Sequence, residues 1–196
     1  MSIWRRNIYY YDTANGFAAE KLAGRFLQML EEEMRHQKKT DILFLCIGTD
    51  RSTGDSLGPL IGYKLAACGL DNATIFGTLD SPVHAVNLET CMEQIRTRFP
   101  NAVVVAVDAS VGAWDQVGYV TLGKGSLKPG LGVRKDLEAV GDLFITGIVG
   151  CVQNGDPLML QSIRLSVVMR LADCISHSLV LGMKLIRGSA ATIPQV

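Results

Sequence analysis

Two stretches, Ile42-Leu-Phe-Leu-Cys-Ile47 and Ala102-Val-Val-Val-Ala-Val107, are apolar without interruption and rich in β-branched residues. A strand with one wet face alternates polar and apolar positions; a run that is apolar at every position predicts a strand covered on both sides. Two such strands in one chain require helices on both faces of a sheet. Val117–Leu122 and Leu143–Val149 read as further strands, and Ala73–Gly77 as a weaker one. Between them lie helical patterns. Gly16–His36 has apolar residues at 22, 26 and 30 with charges elsewhere, and Ser56–Cys68 and Ala85–Arg98 read as crossover helices. In the last helical stretch Arg170, Asp173, His177 and Lys184 fall on one face, leaving the other to cover the sheet. Alternation of this kind predicts a three-layer αβα fold around a mostly parallel or mixed sheet.

The chain has 196 residues, which fits a single domain over 1–196. Apolar residues make up 48% and charged residues 19%, so a disordered tail is excluded and the core is large enough to need no disulfide or structural metal. Lys and Arg (19) balance Asp and Glu (19), leaving no basic excess to attract nucleic acid or an anionic membrane. The five cysteines have no CxxC spacing and read as buried, reduced thiols of a cytoplasmic protein. The N-terminus lacks the uninterrupted apolar stretch of a secretory signal. The most apolar segment, Leu158–Ile186, carries five charged or titratable residues, which argues against a membrane span. Apolar surface on the terminal helices leaves room for a homo-oligomer.

In open α/β sheets, sites gather at the carboxyl ends of strands. That directs attention to Gly48-Thr-Asp-Arg-Ser-Thr-Gly-Asp-Ser-Leu-Gly-Pro59, after the first buried strand, and to Asp108, directly after the second. The first segment is not a P-loop, because no Lys follows its glycines, and no GxGxxG fingerprint follows any strand. Gly54–Gly58 does spell GxSxG and contains the GDSL string of a serine esterase family. Those esterases carry Asp and His three residues apart, whereas Asp173 and His177 here are four apart on a helix, and Ser56 lies well beyond the strand end.

The carboxylates offer different chemistry. Two acids brought together from adjacent strand ends can share a proton, one acting as base on water and the other donating to a carbonyl oxygen. Asp55 and Asp108 are the candidates, with His84 in the Ser81-Pro-Val-His84 loop as a third catalytic or ligating group. The same residues admit plainer readings: Asp55 as a helix cap, Asp108 as a turn residue, His84 as a cap or surface residue. Both readings stay open at this level. Gly48, Thr49, Asp50, Gly54 and Ser56, together with Gly130 in the Gly123–Gly132 loop, would frame a substrate cleft with backbone N–H groups. Arg51, Lys124, Lys128, Arg134 and Lys135 would line its rim.

Gly48–Pro59 with Leu60-Ile-Gly62, the Val107-Asp-Ala109 step and Lys128-Pro-Gly-Leu-Gly-Val133 occur in the order found in the germination protease of spore-forming bacteria. Over its length the chain resembles the YyaC-type sporulation proteins, described as spore proteases. The resemblance implies a phosphorylase/hydrolase-like fold, shared more distantly with hydrogenase-maturation peptidases, and a cytoplasmic protein of the forespore or mother cell acting on protein substrates, spore proteins among them. The two aspartates thought to serve the germination protease match Asp55 and Asp108. In the maturation peptidases the same positions are metal ligands with a histidine beyond the second acid; here no histidine lies between Asp108 and His177. No metal and no cofactor is therefore expected. Gly54 stands where the germination protease has proline, and Thr49 where it has asparagine. A non-catalytic binding or assembly protein, a metal-dependent peptidase and, last, a GDSL esterase are the alternatives to an aspartate peptidase.

Overall fold

The computed structural model describes residues 8–129, 137–151 and 163–190, with side chains in the last stretch described through 186. Six strands form one sheet: β1 (Ile8–Asp12), β2 (Asp41–Cys46), β3 (Thr74–Phe76), β4 (Ala102–Gly112), β5 (Tyr119–Lys124) and β6 (Leu143–Cys151). Their spatial order is β1-β5-β6-β4-β2-β3. β6, β4, β2 and β3 run parallel, while β5 lies antiparallel to both its neighbours. The helices are α1 (Ala18–Gln37), α2 (Leu57–Ala67), α3 (Leu88–Arg98) and α4 (Leu165–Ala190). The expected three-layer αβα architecture is the one observed.

The unbroken apolar runs divide by parity, as strand geometry requires. Ile42, Phe44, Cys46, Val103, Val105 and Val107 join the core under α1, α2 and α4. Leu43, Leu45, Ile47, Ala102, Val104 and Ala106 join a second core with Leu88, Met92 and Ile95 of α3. Each fully buried Val, Leu or Ile on these strands contributes about 1.5–3 kcal/mol. The three-helix layer lies close because of a glycine: a Cβ on Gly58, in the first turn of α2, would sit on the Ile47 carbonyl oxygen.

Helix α4 is long and apolar enough over Leu165–Ile186 to cross a membrane by composition alone. Its apolar side is nevertheless in the core, with Val168, Leu171, Ala172, Ile175, Leu179 and Met183 all inaccessible to solvent. Arg170, Asp173, His177 and Lys184 are exposed together, as the spacing predicted. Asp173 pairs with Lys64 of α2 at 2.8 Å and ties the two helices.

Several sequence expectations need correction. β1 was not foreseen; Ile8-Tyr-Tyr-Tyr-Asp12 alternates, placing Tyr9 and Tyr11 against the core and leaving Tyr10 exposed at the sheet edge. α3 begins at Leu88 instead of Ala85, because the His84 and Asn87 backbone and side-chain bonds hold a turn there. All five cysteines are free, but only Cys46 and Cys151 are buried. Lys124 is not a cleft residue: it lies opposite Leu143 at the amino end of β6 and pairs with buried Glu33 at 2.6 Å. Gly130, Arg134 and Lys135 lie outside the described residues.

Candidate active site

The connection after β2 runs outward to β3, whereas β4 is followed by strands on the opposite side of the sheet. The carboxyl ends of β2 and β4 therefore flank the point where the strand order reverses, the place where open α/β sheets form crevices. Pairing between the two strands ends at Cys46–Val107, with a last bond from the Ile47 N–H to the Val107 carbonyl at 2.7 Å.

Beyond that point β2 turns away. Gly48 adopts φ +145°, and a Cβ there would collide with the Asp55 carbonyl oxygen. The Gly48 N–H donates to Val83 at 2.8 Å, and the Thr49 N–H donates to the Asp55 carbonyl at 3.1 Å, closing the loop on itself. A 3-10 turn, Gly54–Ser56, then leads into α2. Asp55 sits in this turn, yet no side chain caps either the turn or α2, so its carboxylate is not committed to helix capping.

Asp108 does not end its strand. β4 continues to Gly112, with Asp108 opposite Thr146 of β6, while its β2 side is left unpaired once β2 departs. The run of apolar residues stops at Asp108 because the sheet splits there, not because the strand does. The Ala109 N–H donates to Asp108 Oδ1 at 2.8 Å.

The electrostatics couple the two acids. Burial pushes Asp108 up to about 8; the Ala109 N–H draws it down somewhat, and the negative charge of Asp55 raises it again. Asp55 is raised too, by burial, with the Ser52 hydroxyl pulling it back. That hydroxyl is buried, and among the described residues its one polar neighbour of consequence is Asp55, on which it acts. Near neutral pH the pair holds a proton that belongs chiefly to Asp108 and leaves Asp55 as the base, an assignment that describes the coupled pair.

Around Asp108 the sheet face carries hydroxyls. Ser110 Oγ and Thr146 Oγ1 lie 3.0 Å apart, and Thr146 Oγ1 and Thr121 Oγ1 2.7 Å apart, a row crossing β4, β6 and β5. Strand parity puts Ser110 and Thr146 on the same face as Asp108. Sequence reasoning missed Ser52, Ser110, Thr121 and Thr146. The available signal was a polar residue at the carboxyl end of an otherwise apolar strand, at Thr146 above all.

The remaining candidates fall around this pair with differing roles. His84 follows Val83, which bridges to Ile47, and so stands beside the Gly48 loop. Its ring Nδ1 accepts the Val86 N–H at 3.3 Å, the capping role, and it is not among the groups acting on either acid. Gly54 is buried, Asp50 is exposed, and Thr49 Oγ1 accepts the Arg51 N–H at 3.3 Å. Ser56 is buried and donates its hydroxyl to the Thr53 carbonyl at 2.7 Å. With Asp173 paired to Lys64 and His177 exposed on α4, these residues do not form a Ser-His-Asp relay. Among the described residues no three His, Cys, Asp or Glu side chains gather as a metal centre requires.

Comparison with known proteins adds a family. The chain is 45% identical over 151 residues to the uncharacterized protein YyaC of Bacillus subtilis (strain 168), covering 77% of this chain and 74% of that relative. Residues 14–178, which include every element of the site, match the model of a family described as a protein of unknown function, DUF1256, and the chain belongs to that family.

Proposed function

We propose that this protein is an endopeptidase in which Asp55 and Asp108 activate water against a peptide bond. The observation that carries the reading is the coupled acid pair at the sheet's switch point, one member holding its proton near neutral pH. Asp55 takes a proton from water as its oxygen attacks the carbonyl carbon, and Asp108 gives its proton to the carbonyl oxygen. In the collapse of the resulting diol the amide nitrogen receives the proton from Asp55, the C–N bond breaks, and Asp108 recovers a proton from the diol. Both acids return to their starting states, so turnover needs no other reactant than water. The Ser52 hydroxyl and the Ser110–Thr146 row give polar contacts to the substrate backbone.

The likeness of Gly48–Pro59 and Val107–Ala109 to the germination protease supports the same pair and extends it to a role in sporulation, in the forespore or mother-cell cytoplasm, with protein substrates such as spore proteins. The test is incubation with a proteome extract from sporulating cells, with and without EDTA, followed by mapping of new peptide termini. New termini that survive EDTA and vanish in Asp55→Asn/Asp108→Asn are expected. Identical termini in every lane, from a variant that melts cooperatively, would leave a non-catalytic binding protein as the reading.

A further inference from the structure

β3 is the last strand at its side of the sheet, and beyond it the described chain leaves a hollow of about 350 Å³ between β3, the Thr78–Ser81 turn and α3. Its lining includes Phe76, Thr78, Val83, Asn87, Cys91 and Gln94, and among the described residues no charged one lines it. The walls are held in place. Ser81 and Thr78 bond each other through backbone and side chain at 3.2 and 3.3 Å, and Asn87 Nδ2 donates to the Pro82 carbonyl at 3.0 Å. Phe76 packs edge-on against Phe99.

The position relates the hollow to the acid pair. Val83 is the residue whose carbonyl accepts the Gly48 N–H, so the hollow and the site loop share a wall. From β4 to β2 to the β3 edge is two strand spacings, about 10 Å, which an extended chain covers in about three residues. A peptide laid across these carboxyl ends, with its scissile bond at Asp55 and Asp108, reaches the hollow with a side chain about three residues away.

We propose that the hollow is a specificity pocket for a neutral aliphatic or aromatic side chain of a peptide substrate. This rests on the peptidase reading of the acid pair and names the substrate feature that the same site selects. A charged side chain entering would lose water and find no counter-charge. An apolar one meets the half-buried Ile75, Phe76 and Pro82, with exposed Gln94 at the rim.

Cys91 lines the hollow and is half-buried, so its alkylation by iodoacetamide reports occupancy, while exposed Cys68 serves as the internal reference. Pools of blocked hexapeptides, one built from Leu, Phe, Ala and Gly and one in which Asp and Lys replace Leu and Phe, are the probes. In Asp55→Asn/Asp108→Asn, which retains the pocket, the apolar pool is expected to slow Cys91 alkylation at least threefold and leave Cys68 unchanged. The charged pool should do neither. In the wild type, cleavage sites mapped in a proteome-derived peptide library should favour an apolar residue at one position about three from the cut. Cys91→Trp, which fills the hollow, should erase that preference and raise KM with little change in kcat, and Cys91→Ala should keep it. Protection of Cys91 without any cleavage would support the pocket while the peptidase reading fails. Cleavage with no protection and no positional preference would overturn the pocket and leave the acid pair standing.

Discussion

Replacing Asp108 with Asn keeps the side-chain shape and removes its proton equilibrium. In the unfolded chain this carboxyl titrates near 3.8, and in the folded protein at about 8. Between those values the folded state holds a proton that the unfolded chain has released, so wild-type stability falls as pH rises. The full contribution is present below pH 4 and is lost progressively up to pH 8. One proton corresponds to a slope of about 1.4 kcal/mol per pH unit. Integrated from pH 5 to 8, with both titration curves partly overlapping the ends, this comes to about 3–4 kcal/mol.

Asp108→Asn lacks this dependence, and every other titrating group is common to both proteins. The stability difference, variant minus wild type, should therefore grow by about 3 kcal/mol between pH 5 and pH 8. For a chain of this length that is roughly 6–12 °C in Tm. Urea unfolding at pH 5, 6, 7 and 8 reads it directly. A constant offset, caused by a mismatched amide, does not imitate a slope. A difference that is flat with pH would refute the reasoning, since Asp108 would then be ionised in the folded protein and could not act as the acid. Asp55→Asn supplies the converse check: removing the neighbouring charge should lower the Asp108 pKa and move the end of the sloping region to lower pH.

Gly48→Ala should destabilise the chain by several kcal/mol and abolish activity, because a Cβ at φ +145° meets the Asp55 carbonyl; denaturation and activity measured together check it. Ser56→Ala removes one hydrogen bond to Thr53 and should cost about 1 kcal/mol, with turnover of any cleaved substrate retained. Loss of turnover in a folded Ser56→Ala protein would instead revive the serine hydrolase. Thr146→Val leaves Ser110 and Thr121 without their shared partner and should cost about 1–3 kcal/mol; equal stability to wild type in urea would show that the hydroxyls find water instead.

The buried strands were legible because a run apolar on both parities has few places to go. Leu43 and Phe44 each needed a cover, and α3 and the three-helix layer supply one on each face. β1 escaped because it uses the weaker signal of an antiparallel edge strand, where only Tyr9 and Tyr11 face inward and the window of five residues sits beside arginines. The acids were legible as candidates, since polar residues directly after apolar runs are conspicuous. Their sharing of a proton was an expectation that strand ends alone could raise but not fix. It depends on β2 and β4 being neighbours, and Asp55 and Asp108 are separated in sequence by α2, β3 and α3. The hydroxyl row was equally hidden, because Ser110, Thr121 and Thr146 meet only through the register of β4, β6 and β5. His84 shows the reverse: its sequence context admitted both a cap and a ligand, and its ring is found at the start of a turn, accepting the Val86 N–H.

The departure of β2 is what makes Asp108 chemically distinct. From Val105 to Val107 each residue of β4 is flanked by strands on both sides, and a carboxyl there would be locked into the core. One residue later β2 has turned away at Gly48, and the gap is closed over by the loop that carries Asp55. Asp108 is thus enclosed enough to keep its proton, and the charge of a second acid acts on it. The raised acidity of one position follows from where a single parallel pairing ends, and that end is set by the glycine that lets β2 turn.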